Sequence, residues 1–344
     1  MKFDVIIGNP PYQGDVKGEN DTYAPPIYHD FLEEAYGLAD CVCMIHPARF
    51  LFNAGSTPKA WNKKMLEDQH LKVTYYEVDS GKVFSGTDIK GGVAVTYRDK
   101  EKAFGAIGVF TPWSELNTIK EKVCNNKRFH SVKPLVFTAY AYHFTEKLYE
   151  EHPELRGILS KGHDYDLKSN AFELLPSLFS HGKPEDGKTY IRIYGRIGNE
   201  RVFRWVRQDY VNTPANLHKW KVFVPGANGS GALGEVLATP LIGEPLIGST
   251  ETFISIGCFE THAEAEACFK YVKTKFARAM LGILKITQAN TPQKWAFVPL
   301  QDFTAGSDID WSVSVAEVDA QLYRKYRLSA EEVAFIESKV KEMA

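Results

Sequence analysis

The chain has 344 residues, of which 44% are hydrophobic and 13% aromatic, and its formal net charge is −2. This composition is typical of a globular protein with room for two domains, and it excludes a largely disordered chain. The sequence shows no apolar run that would predict a membrane span or a signal peptide. Five scattered cysteines without a CxxC pair predict reduced thiols in the cytoplasm and argue against a zinc site.

The first hundred residues alternate between apolar strand-like runs and amphipathic helical patterns. We predict strands at 3–8, 41–45, 72–78 and 93–97, and helices at 26–38 and 58–68. The apolar face of the first helix is predicted to comprise Ile27, Phe31, Leu32, Ala35 and Leu38. Strands that alternate with helices and end in a hairpin predict an α/β fold, here half of a doubly wound Rossmann-like sheet.

The first predicted strand ends in Asn9, Pro10, Pro11 and Tyr12, a tetrapeptide suited to methylating a planar amine. Such an amine is a poor nucleophile because its lone pair is delocalised into the ring. The side-chain carbonyl of Asn9 and the backbone carbonyl of Pro10 can accept its two hydrogens and direct the lone pair at a methyl donor. The prolines fix φ, and the ring of Tyr12 offers a face for a flipped-out base. The alternative is an ordinary proline turn after a strand.

From about residue 105 the pattern changes to helices separated by short strands and loops rich in Gly and Pro. We predict helices at 113–124, 142–151, 261–286 and 329–343, with short strands between residues 176 and 257. Ser329 with Glu332 at capping-box distance marks the start of the last helix. The histidines show no spacing typical of metal ligands, and no nuclease constellation is evident.

The densest basic stretch spans residues 190–207 and interleaves arginines with aromatic residues. It predicts a β-hairpin that displays arginines for contact with phosphate or guanine. The arginines concerned are Arg192, Arg196, Arg201, Arg204 and Arg207. The alternative is a strand pair with a solvated charged face. A second candidate for DNA contact is the polar loop at 287–294, where Gln288 and Asn290 are expected to read adenine edges and Lys294 is a further candidate. The alternative is an ordinary polar loop.

Several of these segments resemble the gamma-type adenine-N6 DNA methyltransferases, especially the methylase and specificity part of fused type IIG restriction–modification enzymes. The resemblance begins at FDVIIGNPPYQ and continues through CVCMIHPARFLF and EVDSGKVFSGTDIKGGVAVTYRD. Downstream, KVFVPGANGSG, WAFVPLQDF and LYRKYRLSAEEVAFIES resemble the target-recognition region and the end of such chains.

This resemblance implies site-specific methylation of duplex DNA, by base flipping and direct methyl transfer from S-adenosylmethionine. Asn9 and Pro10 would hold the adenine amine, Tyr12 would stack on the base, and Phe84 would be the second stacking aromatic. It also implies a catalytic half-lobe at 1–110, a mixed α/β target-recognition domain at 111–305 and a helical tail at 306–344. We retain two alternatives: a DNA-binding specificity module without catalysis, and an RNA or protein methyltransferase.

The sequence departs from the family in the donor-binding half. S-adenosylmethionine needs a glycine-rich turn between a strand and a helix, and gamma-type enzymes carry it upstream of their Asn-Pro-Pro-Tyr motif. Only eight residues precede Asn9, and the glycine-rich run at 224–231 is followed by a segment without a helical pattern. We therefore expect little activity without an N-terminal lobe or partner subunit, and an exposed apolar sheet edge that favours pairing or self-association.

Overall fold

A computed structural model describes residues 3–14, 24–53, 55–89, 91–229, 231–285 and 288–343. The chain divides into two compact units, Met1–Ser114 and Glu115–Ala344, and each is described by itself. Among the described helices, none combines the length and the apolar character needed to cross a bilayer. All five cysteines are free thiols.

The first unit contains a four-stranded sheet in the order β1–β2–β4–β3. Its elements are β1 (Phe3–Gly8), α1 (Tyr28–Leu38), β2 (Ala39–Pro47), α2 (Lys59–Glu67), β3 (Leu71–Glu77) and β4 (Val93–Asp99). β1 and β2 are parallel, whereas β4 runs antiparallel to both of its neighbours, β2 and β3. β1, β2 and β3 therefore point the same way and end at the same edge of the sheet. The predicted α/β class is confirmed.

Both helices of the first unit contribute to one buried cluster on a single face of the sheet. Val42 and Met44 of β2 point into this cluster, and Ile6 packs against it from β1. On α1 the buried stripe consists of Tyr28, Leu32 and Ala35. The predicted apolar face of this helix was partly wrong. Phe31 and Leu38 are exposed, because the stripe that meets the sheet runs from Tyr28 and leaves them on the flank of the helix.

The opposite face of β1 carries exposed apolar side chains. Val5 and Ile7 are 54% and 79% exposed, and they alternate with Ile6 because successive strand residues point to opposite faces. Within the described residues, β1 pairs with β2 on one side and lies at the edge of the sheet on the other. The expected exposed apolar edge is therefore present in the first unit.

The second unit is built from three small sheets and several helices. Its sheets have the strand orders β11–β10–β13–β5, β12–β7–β8 and β6–β9. The strands are β5 (Val136–Phe137), β6 (His143–Phe144), β7 (Tyr190–Ile197), β8 (Glu200–Arg207), β9 (Val211–Asn212), β10 (Trp220–Pro225), β11 (Leu241–Gly243), β12 (Ile247–Ser249) and β13 (Phe253–Phe259). The helices are α3 (Ser114–Cys124), α4 (Glu146–Glu151), α5 (Ala171–Leu174), α6 (His262–Lys273), α7 (Lys275–Gly282), α8 (Val315–Lys325) and α9 (Ala330–Lys339).

Two of the predicted helices differ in the structure. The continuous helix predicted at 261–286 breaks at Thr274, whose extended backbone separates α6 from α7 and whose hydroxyl caps α7. The helix predicted at 142–151 begins only at Glu146, because His143–Phe144 pair with β9 as a strand. The predicted capping box of the last helix is confirmed, with the Ser329 side chain accepting from the Glu332 N–H.

Candidate active site and nucleic-acid interface

The segment from Asn9 to Tyr12 leaves the sheet at the carboxyl end of β1, the edge where open α/β sheets bind ligands. Asn9 and Pro11 are exposed, Pro10 is buried, and Tyr12 is half-buried. The N–H of Ile27 donates to the carbonyl of Tyr12 at 3.1 Å and fixes the backbone just beyond the motif. The side chain of Asn9 is thus available to a ligand at this edge.

Tyr12 and Phe84, the two aromatic residues predicted to enclose a base, lie next to each other. Their ring centroids are 6.4 Å apart and their planes meet at 65°. A flat base that stacks between two rings needs the rings to be parallel, and each ring must lie one stacking distance from the base. The observed arrangement is therefore closed, and a base can enter only if one ring moves.

The hydroxyl of Tyr12 is buried and has no hydrogen-bond partner among the described residues. Burial also raises the pKa of this phenol. An unpaired buried hydroxyl costs free energy, which a moved ring or a bound ligand would recover by giving it a partner.

Phe84 is held by a tightly bonded loop at 79–89 that follows β3. Asp79 accepts from the N–H of Gly81 at 3.0 Å, and the Thr87 hydroxyl donates to the Phe84 carbonyl at 2.8 Å. The buried hydroxyl of Ser80 donates to the carbonyl of Thr87 and accepts from the N–H of Ile89 at 2.8 Å. We did not predict Asp79 and Ser80 as supports of the site, although Asp-Ser-Gly is a typical turn sequence.

His46 lies near the same edge, at the end of β2, and is fully buried. Its Nδ1 is 3.1 Å from the carbonyl of Pro47, which can only accept, so Nδ1 carries the proton. Nε2 then accepts from the hydroxyl of Thr96 at 2.8 Å. Burial lowers the pKa of His46 to about 4. This imidazole is neutral and supports the sheet edge.

The basic stretch at 190–207 forms the predicted hairpin, in which β7 and β8 pair along their whole length. Arg192 lies opposite Trp205, and Arg196 lies opposite Arg201. Because strand side chains alternate, Arg204 points to the other face of the hairpin. The arginines of this stretch therefore do not form a single surface.

These arginines also differ in the groups that their side chains bind. The side chain of Arg207 is only 11% exposed, and its guanidinium binds the carboxylates of Glu151 and Asp209, the latter at 2.6 Å. Arg201 donates to the carbonyls of Ala238 and Thr239. Arg196 and Arg204 donate to backbone carbonyls of the hairpin, at Gly198 and Phe203. Arg192 forms a salt bridge of 2.8 Å with the exposed carboxylate of Glu244.

The loop after α7 is more ordered than its composition indicated. Asn290 is buried and donates to the Pro225 carbonyl and to Asn228 Oδ1, at 2.9 and 2.8 Å. The expectation that Asn290 reads a base edge is therefore wrong, since its amide fixes the loop. Gln288 is exposed and Lys294 is half-buried. Thr287 lies outside the described residues.

Comparison with known proteins finds relatives of the segment that carries the first of these sites. Residues 1–84 match the family model described as "Eco57I restriction-modification methylase". This stretch is similar to a segment of an Eco57I-type methylase domain. The resemblance to adenine methyltransferases that the sequence predicted is confirmed for this methylase segment.

A protein of Mycoplasma pneumoniae named "Uncharacterized adenine-specific methylase" is 36% identical over 95 residues. The alignment covers 27% of this chain and 22% of that protein, so the chain matches well under a third of its relative. Similar solved structures include the type IIG restriction endonuclease BpuSI and the type IIL restriction–modification enzyme MmeI in complex with DNA. Their TM-scores are 0.34 and 0.31 at 12% and 9% identity, covering 98% of this chain and 53% and 56% of theirs. Likeness at this level decides neither fold nor activity.

Methylases of the matched family use S-adenosylmethionine, for which the glycine-rich run at 224–231 is the candidate in this chain. The carboxylate of Glu235 fills this loop: it accepts from the Gly231 N–H at 3.0 Å and would collide with a Cβ at Gly229. The chain that follows carries turns and then β11. These residues leave no cradle at a helix N-terminus, so they do not fit the donor. Within the described parts of the chain, no cluster of His, Cys, Asp or Glu suits a metal ion either.

Proposed function

We propose that this chain takes part in adenine-N6 methylation of DNA in a restriction–modification system, as the part that holds the target adenine and contacts the duplex. One observation carries the proposal. A methylase segment places Asn9-Pro10-Pro11-Tyr12 at the ligand-binding edge of its sheet, with Tyr12 beside Phe84. The Mycoplasma protein that matches this segment is named as adenine-specific, which supports adenine as the base.

In the proposed reaction the adenine is flipped out of the duplex and its amine donates to two acceptors, the side-chain carbonyl of Asn9 and the carbonyl of Pro10. These hydrogen bonds fix the orientation of the amine and direct its lone pair towards the methyl donor. Rigid prolines keep the acceptors in place, so little reorganisation is needed during the reaction. Entry of the base moves Tyr12 away from Phe84, and the two rings then stack on opposite faces of the base.

The methyl donor in this proposal is S-adenosylmethionine, bound by residues of another polypeptide segment. The exposed edge of β1 and the exposed side chains of Val5 and Ile7 suit a segment that adds a strand and covers the free face. Without such a segment, or a partner subunit that supplies it, we expect little methyl transfer. Self-association through the same edge is the competing outcome.

For DNA contact we propose Arg192 and Arg196 on the β7–β8 hairpin, with Gln288 and Lys294 as further contacts. Arg192 and Arg196 belong to the hairpin face that also carries aromatic side chains, and Arg196 and Gln288 are exposed. Cations on such a surface neutralise phosphates and position the duplex. Arg201, Arg204 and Arg207 rank below them as candidates because their guanidinium groups bind carbonyls or carboxylates of the protein itself.

The test measures methyl transfer directly. The full chain is incubated with duplex DNA, tritiated S-adenosylmethionine and a separately expressed donor-binding methyltransferase segment, and N6-methyladenine is quantified by mass spectrometry. We expect product only when the segment is added, and its loss in Asn9→Ala. The matched control is Gln13→Ala, an exposed polar residue just beyond the motif. Full activity in Asn9→Ala would refute the proposed site, and duplex binding without any product would identify a specificity module.

A further inference from the structure

An aromatic and basic surface lies on the exposed part of the β7–β8 hairpin in the second unit. It consists of Lys183, Arg192, Phe203 and Trp205, which we call the aromatic platform. Phe203 is 36% exposed, Trp205 is half-exposed and Lys183 is exposed. Large rings at the surface of a small sheet need an explanation, since hydrophobic burial favours the interior.

Phe203 is the outermost ring of a stacked column. Tyr194 stacks on Phe203 with centroids 4.9 Å apart, and it also stacks on Phe253 at 4.2 Å. Tyr194 and Phe253 are buried, so the inner part of the column is fixed in the core. The column therefore restrains the Phe203 ring, and the exposed part of this ring, beside the guanidinium of Arg192, offers a flat surface on which a further ring can stack.

Two cations flank the platform. The guanidinium carbon of Arg192 lies 5.5 Å from the Phe203 centroid and 5.8 Å from that of Trp205. Lys183 Nζ lies 5.9 Å from the Trp205 centroid. Positive groups beside exposed rings are typical of surfaces that bind nucleotides, because the base stacks on a ring while the phosphate contacts a cation.

Glu244 is the salt-bridge partner of Arg192. The loop that carries it is held by hydrogen bonds from a buried lysine. Lys221 is fully buried and its ammonium donates to the carbonyls of Leu217, Glu244 and Ile247, at 3.1, 3.2 and 3.0 Å. Leu246 in the same loop has a φ of 65°, and its carbonyl accepts from the N–H of Arg192 at 3.1 Å. The backbone at Arg192 is thus held in place beside the platform.

We propose that the aromatic platform binds an unpaired base of a DNA strand. The base stacks on Phe203, and Arg192 and Lys183 contact the adjoining phosphates. The inference rests on the proposed DNA function and deepens it by naming what this surface recognises. A paired duplex would use only the cations, because its bases already stack on one another. An exposed ring that ends a rigid column contributes only to a base whose face is free.

The test compares the binding of two probes to the full chain by fluorescence anisotropy: a fluorescein-labelled single-stranded DNA oligonucleotide, and the same sequence as a duplex. Phe203→Leu keeps an apolar side chain but removes the flat face, and we expect it to weaken single-strand binding by roughly tenfold. Phe203→Trp should restore binding. Tyr140→Leu makes the same kind of change at an aromatic residue that is 53% exposed and lies outside the hairpin, so it is the matched control and should bind like the wild type.

The outcomes separate cleanly. Equal affinity of wild type and Phe203→Leu for the single strand, or no binding by the wild type, overturns the platform. The proposal is also overturned if Phe203→Leu weakens the binding of the single strand and of the duplex equally, or if it weakens the binding of an RNA oligonucleotide only. Should Phe203→Leu fold poorly, Arg192→Gln and Phe203→Trp carry the test: loss in the first together with retained binding in the second supports the platform, and any other result refutes it. None of these substitutions alters Asn9, so the methyl-transfer assay still tests the proposed function if the platform proposal fails.

Discussion

The ring of Tyr12 meets the ring of Phe84 edge to face, with 6.4 Å between their centroids. These residues belong to the segments that follow β1 and β3, two strands that end at the same edge of the sheet although they are separated in the sheet by β2 and β4. The contact closes the place where a base would lie beside Asn9. The two rings bury part of each other's surface, which stabilises this contact.

Tyr12→Phe tests this closed state. The Tyr12 hydroxyl is buried without a partner among the described residues, so its removal relieves an unfavourable burial while the ring contact with Phe84 remains. We expect the free energy of unfolding, measured by urea denaturation, to stay the same or to rise by up to about 1 kcal/mol. A loss of stability would show that the hydroxyl makes a hydrogen bond in solution. Phe84→Leu, which removes the ring contact, is the comparison variant and should destabilise.

A second prediction concerns His46 and pH. Its pKa in the folded chain is about 4, below the ordinary value of 6.5, so the unfolded chain binds the extra proton first. The neutral imidazole contributes its full stability above pH 6.5, and this contribution is lost progressively as the pH falls towards 4. The difference between the two pKa values corresponds to about 3 kcal/mol. Urea denaturation between pH 7 and pH 4 should show a smaller loss of stability in His46→Gln than in the wild type. Parallel curves would contradict the burial of a neutral imidazole.

The sequence predicted the sheet and the corner at Asn9 well because both depend on local signals, namely apolar runs that end at Gly or Pro. Features set by distant residues could not be predicted. The break at Thr274 is stabilised by Asp319, which lies 44 residues after Lys275 and accepts from that residue's N–H. Arg207 binds the carboxylate of Glu151, which is 56 residues away in the sequence. In the sequence, the basic stretch therefore looked like one uniform surface.

Asp319 provides the third prediction. Its carboxylate accepts from the N–H groups of Lys275 and Phe276, at 2.9 and 2.8 Å, and so caps the start of α7 after the break. Burial nevertheless raises the pKa of Asp319 to about 6. Asp319→Ala leaves one buried and one partly buried N–H without this acceptor, and we expect it to lower the free energy of unfolding by roughly 1–3 kcal/mol. Asp319→Asn retains one acceptor oxygen and should fall between this variant and the wild type. A smaller loss for alanine than for asparagine would refute the capping role.

The last prediction distinguishes arginines that bind DNA from arginines that hold the fold. Arg192 is bound to a single exposed carboxylate, Glu244, which a phosphate can replace. Arg207 is enclosed by Glu151 and Asp209. For Arg192→Gln we expect weaker duplex binding and a salt dependence of log K that is smaller by about 1, because one phosphate contact is lost.

Arg207→Gln should leave that salt dependence unchanged and instead reduce the free energy of unfolding, since the two carboxylates that Arg207 binds each lose an ion pair and keep, among the described residues, only Lys147 as a cationic partner. Glu244→Gln, which frees Arg192, should strengthen binding at low salt. Affinities measured over a series of salt concentrations, together with urea denaturation of the same variants, check all three. If Arg207→Gln changed the salt dependence while Arg192→Gln did not, the assignment of the two arginines would have to be reversed, because only a cation that meets a phosphate releases a counterion on binding.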